Sequence, residues 1–168
     1  AAACGGSSGG GQAPVDPPPP GDDTGGITGT GIATAIGPLT GFGSVIVNGV
    51  TYDTSSASFS LDGRDSSQDE FEVGQYIIVQ GTIENETSGT ANTVVFNDAV
   101  EGPVSSVDEL AGTFVVLGQT VIVSAATSID DSCPATLEGL LDVPAVEVSG
   151  PVRSDGTIDA TRVECKAI

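Results

Sequence analysis

The sequence predicts an all-β protein: two small tandem β-barrels or sandwiches, preceded by an extended arm and a candidate donor strand. Three observations predict it. Runs rich in Val, Ile and Thr alternate with period two, as in "VEVSG", where Val146 and Val148 are expected inward and Glu147 outward. The 24 Gly and 10 Pro break the chain often, so long helices are not expected. Most telling is an internal duplication at a constant offset of 69 residues. "GSVIVNGVTYDT" (Gly43–Thr54) matches "GTFVVLGQTVIV" (Gly112–Val123), "YIIVQGTI" (Tyr76–Ile83) matches "AVEVSGPV" (Ala145–Val152), and "ANTVVF" (Ala91–Phe96) matches "ATRVEC" (Ala160–Cys165).

In chain order, residues 1–24 are a Gly/Ser/Pro arm whose "PPPP" favours extended polyproline II. The start, "AAACGG", resembles the small-residue end of an export signal or a bacterial lipoprotein cleavage region, and both imply export. Residues 25–36, "GGITGTGIATAI", alternate like a strand. Ile27, Gly29, Gly31, Ala33 and Ala35 fall on a nearly bare face, with Ile32 and Ile36 on the other. Glycine weakens an isolated strand. The segment has no counterpart ahead of the second repeat, so it is read as a strand donated to another subunit. The alternative is an ordinary first strand on its own barrel.

The first repeat is placed at residues 37–98 and the second at 99–168, each with five strands. In the first they are Ala33–Leu39, Ser44–Asn48, Val50–Phe59, Tyr76–Ile83 and Ala91–Asn97. In the second they are Ala99–Val107, Thr113–Leu117, Thr120–Thr127, Ala145–Val152 and Ile158–Lys166. Asn48–Gly49 between apolar runs marks a hairpin turn. A helical turn is expected near Asp69–Glu72 and another near Ala135–Leu140.

"GFGSVIVNGVTYDT", "FEVGQYIIVQGTI", "VLGQTVIVSAAT" and "VEVSGPVRSDGTIDATRVE" resemble a repeat domain of unknown function found in exported bacterial proteins, often in tandem behind an arm of this kind. The resemblance covers about Gly25–Ile168. It implies export and a small barrel-like unit, and it carries no active site. Gln75 stands where the pattern usually has an acidic residue.

The chemistry is defined mostly by exclusion. There are 23 Asp and Glu against four Lys and Arg, for a net charge of −19, so nucleic acid and anionic membrane surfaces are not expected partners. No apolar stretch is long enough to predict membrane insertion. Without histidine, Ser–His–Asp and Cys–His nucleophile systems have no base. No enzyme activity and no cofactor are expected. The acidic loop Leu61–Glu72 offers Asp62, Asp65, Asp69 and Glu70 as oxygen ligands for calcium, but their spacing fits no EF-hand and a solvated loop is the simpler reading. Asn85-Glu86-Thr87 is a glycan acceptor pattern at an expected hairpin tip.

Cys133 and Cys165 are expected to form a disulfide in an oxidising compartment, the alternative being two buried thiols. Cys4 is left over as a lipid anchor, a free thiol or a bond to another chain. The expected function is a structural subunit of an extracellular, pilus-like bacterial fibre, a homopolymer assembled by donor strands. The alternative is a tethered surface or periplasmic module for an unknown ligand.

Overall fold

A computed structural model of the chain describes residues 31–41 and 43–167. The first repeat comprises β1 (Ile32–Pro38), β2 (Val45–Val47), β3 (Val50–Asp53), β4 (Ser58–Leu61), β5 (Arg64–Ser66), β6 (Tyr76–Asn85) and β7 (Ser88–Phe96). The second comprises β8 (Val100–Gly102), β9 (Val104–Asp108), β10 (Thr113–Val116), β11 (Gln119–Ile122), β12 (Ser128–Ile129), β13 (Ala145–Ser149), β14 (Ile158–Asp159) and β15 (Arg162–Lys166). Helix is limited to 3-10 turns at Gln68–Glu70 and Glu138–Asp142.

Both repeats close in the same way. In the first, β1 pairs with β6, β6 with β7, β7 with β3 and β4 in parallel, β3 with β2, and β2 returns to β1 through the Leu39–Val47 bridge. In the second, β8 pairs with β13, β13 with β15, β15 and β14 run parallel to β12 and β11, β11 pairs with β10, and β10 with β9. This ring, with its third and fifth strand segments parallel, has the connectivity of the small five-stranded OB-type barrels. Each barrel holds its own core. Leu39, Val45, Tyr52, Ile77, Val94 and Phe96 fill the first, and Phe114, Val121, Leu140, Val146, Ile158 and Val163 the second. Each such side chain contributes about 1.5–3 kcal/mol by leaving water.

The duplication extends to backbone detail. The β2–β3 and β10–β11 turns place Asn48 and Leu117 at φ 53° and 47°, each followed by a left-handed glycine, Gly49 or Gly118. At Gly81 an added Cβ would lie 2.0 Å from the Thr90 carbonyl oxygen, and at Gly150 it would lie 2.0 Å from that of Asp159. Those strands approach too closely for any side chain.

Several expected strands are divided. Val50–Phe59 becomes β3 and β4, separated by a turn in which Ala57 N–H donates to the Thr54 carbonyl. Ala99–Val107 breaks at Pro103, which cannot supply a ladder donor. The loop at Leu61–Glu72 contains β5, which folds back on β4 as a hairpin.

The candidate donor strand needs correction at its C-terminal half. Ile32, Ala33, Ala35 and Ile36 lie in β1, in antiparallel register with β6 of the same barrel from Ile32↔Thr82 to Pro38↔Tyr76. The first repeat therefore begins at Ile32. The bare face is the inward one: Ala33 and Ala35 are half-buried, and Ala35 packs on the core opposite Val79. Gly31 precedes the strand and is exposed. The arm, Cys4, Ile27 and Gly29 lie outside the described residues.

Candidate functional site

The chain concentrates its scarce cations at one place. Of the four basic residues, Arg64, Arg162 and Lys166 gather where the two repeats meet, while Arg153 pairs with Asp159 at 2.6 Å on the surface. Strand periodicity sets this up. Residues 162, 164 and 166 share one face of β15, placing Arg162, Glu164 and Lys166 in a row outside the second core. Register with β13 sets Glu147 opposite Glu164, and register with β8 sets Glu101 opposite Glu147.

Arg162 is the centre of this seam. Its side chain is only 8% exposed, yet it lies outside its own barrel because the first repeat covers it. Its guanidinium donates to the carboxylate of Glu72, to Asp130 at 2.5 Å and to the carbonyl of Val73 at 3.2 Å. Glu72 and Val73 belong to the loop before β6, so one side chain joins the repeats by a charge-assisted fork. Asp130 is fixed by Ser132, whose side chain and backbone hydrogen bonds hold its carboxyl below the usual range.

The loop from the first repeat is shaped to fit. Gly74 has φ +94°, and a Cβ there would come within 3.0–3.2 Å of Ser128, Thr161 and Arg162 of the second repeat. Gln75 is buried and its Oε1 accepts the Glu72 N–H at 2.9 Å, bracing the loop that presents Glu72. Asp62, in the β4–β5 turn, accepts the N–H of Asp98 at 3.0 Å and so pins the linker between the repeats.

Beside the seam is a cleft of about 250 Å³, lined by Arg64, Asp65, Glu70, Glu147, Glu164 and Lys166 among others. Lys166 Nζ lies 2.9 Å from both Glu147 and Glu164. Burial pushes the Glu147 carboxyl up, with Lys166 pulling the other way. Burial lowers Lys166, but its hydrogen bonds to Glu164 and Glu147 more than reverse this and leave it raised. Glu147 lies on the outward face that alternation assigns it. The first repeat covers it there, leaving it 7% exposed.

The residues flagged from sequence are divided between this region and the rest of the surface. Asp62 sits in a turn, Asp65 and Glu70 line the cleft with Glu70 held by the Ser66 hydroxyl, and Asp69 lies in the 3-10 turn. Among the described residues no three His, Cys, Asp or Glu are grouped to hold a metal ion. Asn85 is exposed at the β6–β7 tip, where its Oδ1 accepts both the N–H and the hydroxyl of Thr87, at 3.0 and 3.1 Å. Cys133 and Cys165 are joined as a disulfide, Cα atoms 5.0 Å apart. It ties the segment after β12 to β15, next to the seam.

The family model described as a domain of unknown function (DUF5666) matches residues 30–95 and again 101–164. The chain belongs to that family. The two matched stretches correspond to the two barrels, so each barrel is one DUF5666 unit, and the seam lies between units. No curated protein and no solved structure matches the chain. Among the described residues no helix is long and apolar enough to cross a membrane.

Proposed function

We propose that this tandem DUF5666 chain is a structural subunit of an extracellular bacterial fibre, joined to other copies by its N-terminal segment. The observation that carries this reading is where the buried polar groups are spent. Arg162 and Gln75, two of the few polar side chains in the interior, serve the junction between the units, with Glu147 beside them. A subunit that carries tension along a fibre needs its two halves fixed in one orientation, and a hydrogen-bonded buried cation specifies one geometry. The arm then reaches a neighbour: a segment of 24 residues spans about 70–80 Å when extended. Because 32–36 serve their own barrel, the donated strand lies before Ile32. A head-to-tail contact of that kind does not close and builds a filament.

The test is electron microscopy with sedimentation of the purified full chain. Filaments, or size that grows with concentration, are expected, and removal of residues 1–30 should leave monomers. A full chain that stays monomeric at every concentration counts against the reading. The charged cleft favours a second reading, a surface-tethered module for a small cationic ligand. Calcium-dependent melting of the monomer would support that one instead.

A further inference from the structure

β1 is longer than the strand that flanks it. β2 meets it at the Leu39–Val47 bridge, and the Asn48–Gly49 turn ends β2 there. Asn48 covers one more group, its Nδ2 donating to the Ile36 carbonyl at 3.0 Å. Before Ile36, the outer edge of β1 has no strand partner among the described residues.

The ladder says which groups lie on that edge. Leu39 N–H donates to the Gln75 carbonyl at 2.8 Å, towards the β6 side. Antiparallel alternation then turns the backbone groups of Gly37, Ala35 and Ala33 to β6 and those of Ile36, Thr34 and Ile32 outward. Pro38, which has no N–H, occupies an outward position, where proline is tolerated. Edges of this kind are usually blunted by a charge, a proline or a bulge. Residues 31–37, "GIATAIG", contain no charge and no proline, and the β1–β6 register runs without a bulge. Ile32 is 86% exposed and Ile36 49% exposed.

We propose that this outer edge, at Ile32–Thr34, accepts Gly25–Gly31 of a second copy as an added strand. The inference rests on the fibre reading and names its acceptor. The segment suits the edge: "GGITGTG" continues the alternation of β1, has no charge or proline, and carries one large apolar side chain, Ile27. An uncharged contact matters between copies that each carry −19. The same chain's segment fits worse. To fold back onto β1 it must turn within Thr28–Gly31, directly beside the edge it would cover, whereas a second copy's segment reaches Ile32–Thr34 without that turn. Main-chain hydrogen bonds supply the affinity, as in other strand additions.

The test uses the full chain. Thr34→Pro removes an outward N–H that β6 does not use, so the melting temperature should hold while polymer falls at least tenfold. Ile32→Lys, which keeps every backbone group, should also cut polymer. The Thr34 amide should be protected from hydrogen exchange in polymer and unprotected in dissociated subunits. If filaments persist in both variants, the edge is not the acceptor, although the fibre reading survives. If the wild-type chain is monomeric with Thr34 protected, its own arm covers the edge and both readings fall. If it is monomeric with Thr34 unprotected, the edge accepts nothing and both likewise fall.

Discussion

The two barrels share one backbone plan and finish it with different materials. Residues 69 apart perform the same tasks: Gly81 and Gly150 let strands touch, and Asn48–Gly49 and Leu117–Gly118 turn the hairpins. They part at the end of the last strand. Phe96 is fully buried in the first unit, in the cluster that holds the edge-on pair Phe59 and Phe71 at 5.5 Å between ring centroids. Its counterpart 69 residues on is Cys165, bonded to Cys133. In a chain with 4% aromatics, one copy is secured by ring volume and the other by a covalent link. The barrel tolerates either, because what it requires is that the segment between its third and fourth strands be held down.

The comparison gives predictions in decreasing order of effect. Substituting alanine at Gly81 or Gly150 should cost about 3 kcal/mol or more in its own unit, because the added methyl meets backbone that cannot move aside. Denaturant melts of both variants would break the equivalence if one were silent. Reduction, or Cys133→Ser with Cys165→Ser, should cost about 3–4 kcal/mol in the chain-entropy model for a separation of 32 residues. The loss should fall on the second unit, read by hydrogen exchange at β13 and β15. Arg162→Ala should cost about 2 kcal/mol, below the figure for a fully buried pair because solvent reaches Glu72. Thr93→Ala, at the equivalent place in the first unit, should cost under about 0.5 kcal/mol. Calorimetry should also show one transition separating into two in the arginine variant.

The smallest effect concerns pH. Glu147 has its carboxyl raised, so its ionisation opposes folding. That cost develops as pH rises from the ordinary glutamate value through the raised one, and persists above it. Asp130 is lowered, so its contribution is present above the ordinary aspartate value and fades as pH falls through the lowered one. Carboxyl ¹³C titration should find Glu147 above and Asp130 below their ordinary values, and Glu147→Gln should flatten stability across the Glu147 window.

Much of the fold was legible in the sequence. The constant offset located both units, the Asn48–Gly49 turn and the Cys133–Cys165 pairing were readable, and period-two alternation placed Val146 and Val148 inward correctly. The seam was not. Alternation tells which side of a strand leaves its own barrel, and so placed Glu147 outward, but it does not tell what covers that side. Arg162 gave one faint signal, lying with Lys166 on a single strand face in a chain with only four cations. The first strand was misjudged for a related reason. Its bare face suggested a foreign partner, when Ala33 and Ala35 are the side of the strand turned towards its own barrel.

Gly74 limits how such an array can grow. Its counterpart in the second unit is Val143, and in place of Glu72 stands Leu141. A third unit appended after Ile168 would therefore find a branched side chain at the position where Gly74 leaves room for Arg162, and no carboxylate to receive its own arginine. The junction between these two units is thus not one that the second unit could repeat with the same side chains. The fit is one-sided: the loop of the first unit has room and a carboxylate for an arginine, and the matching loop of the second unit has neither at those positions.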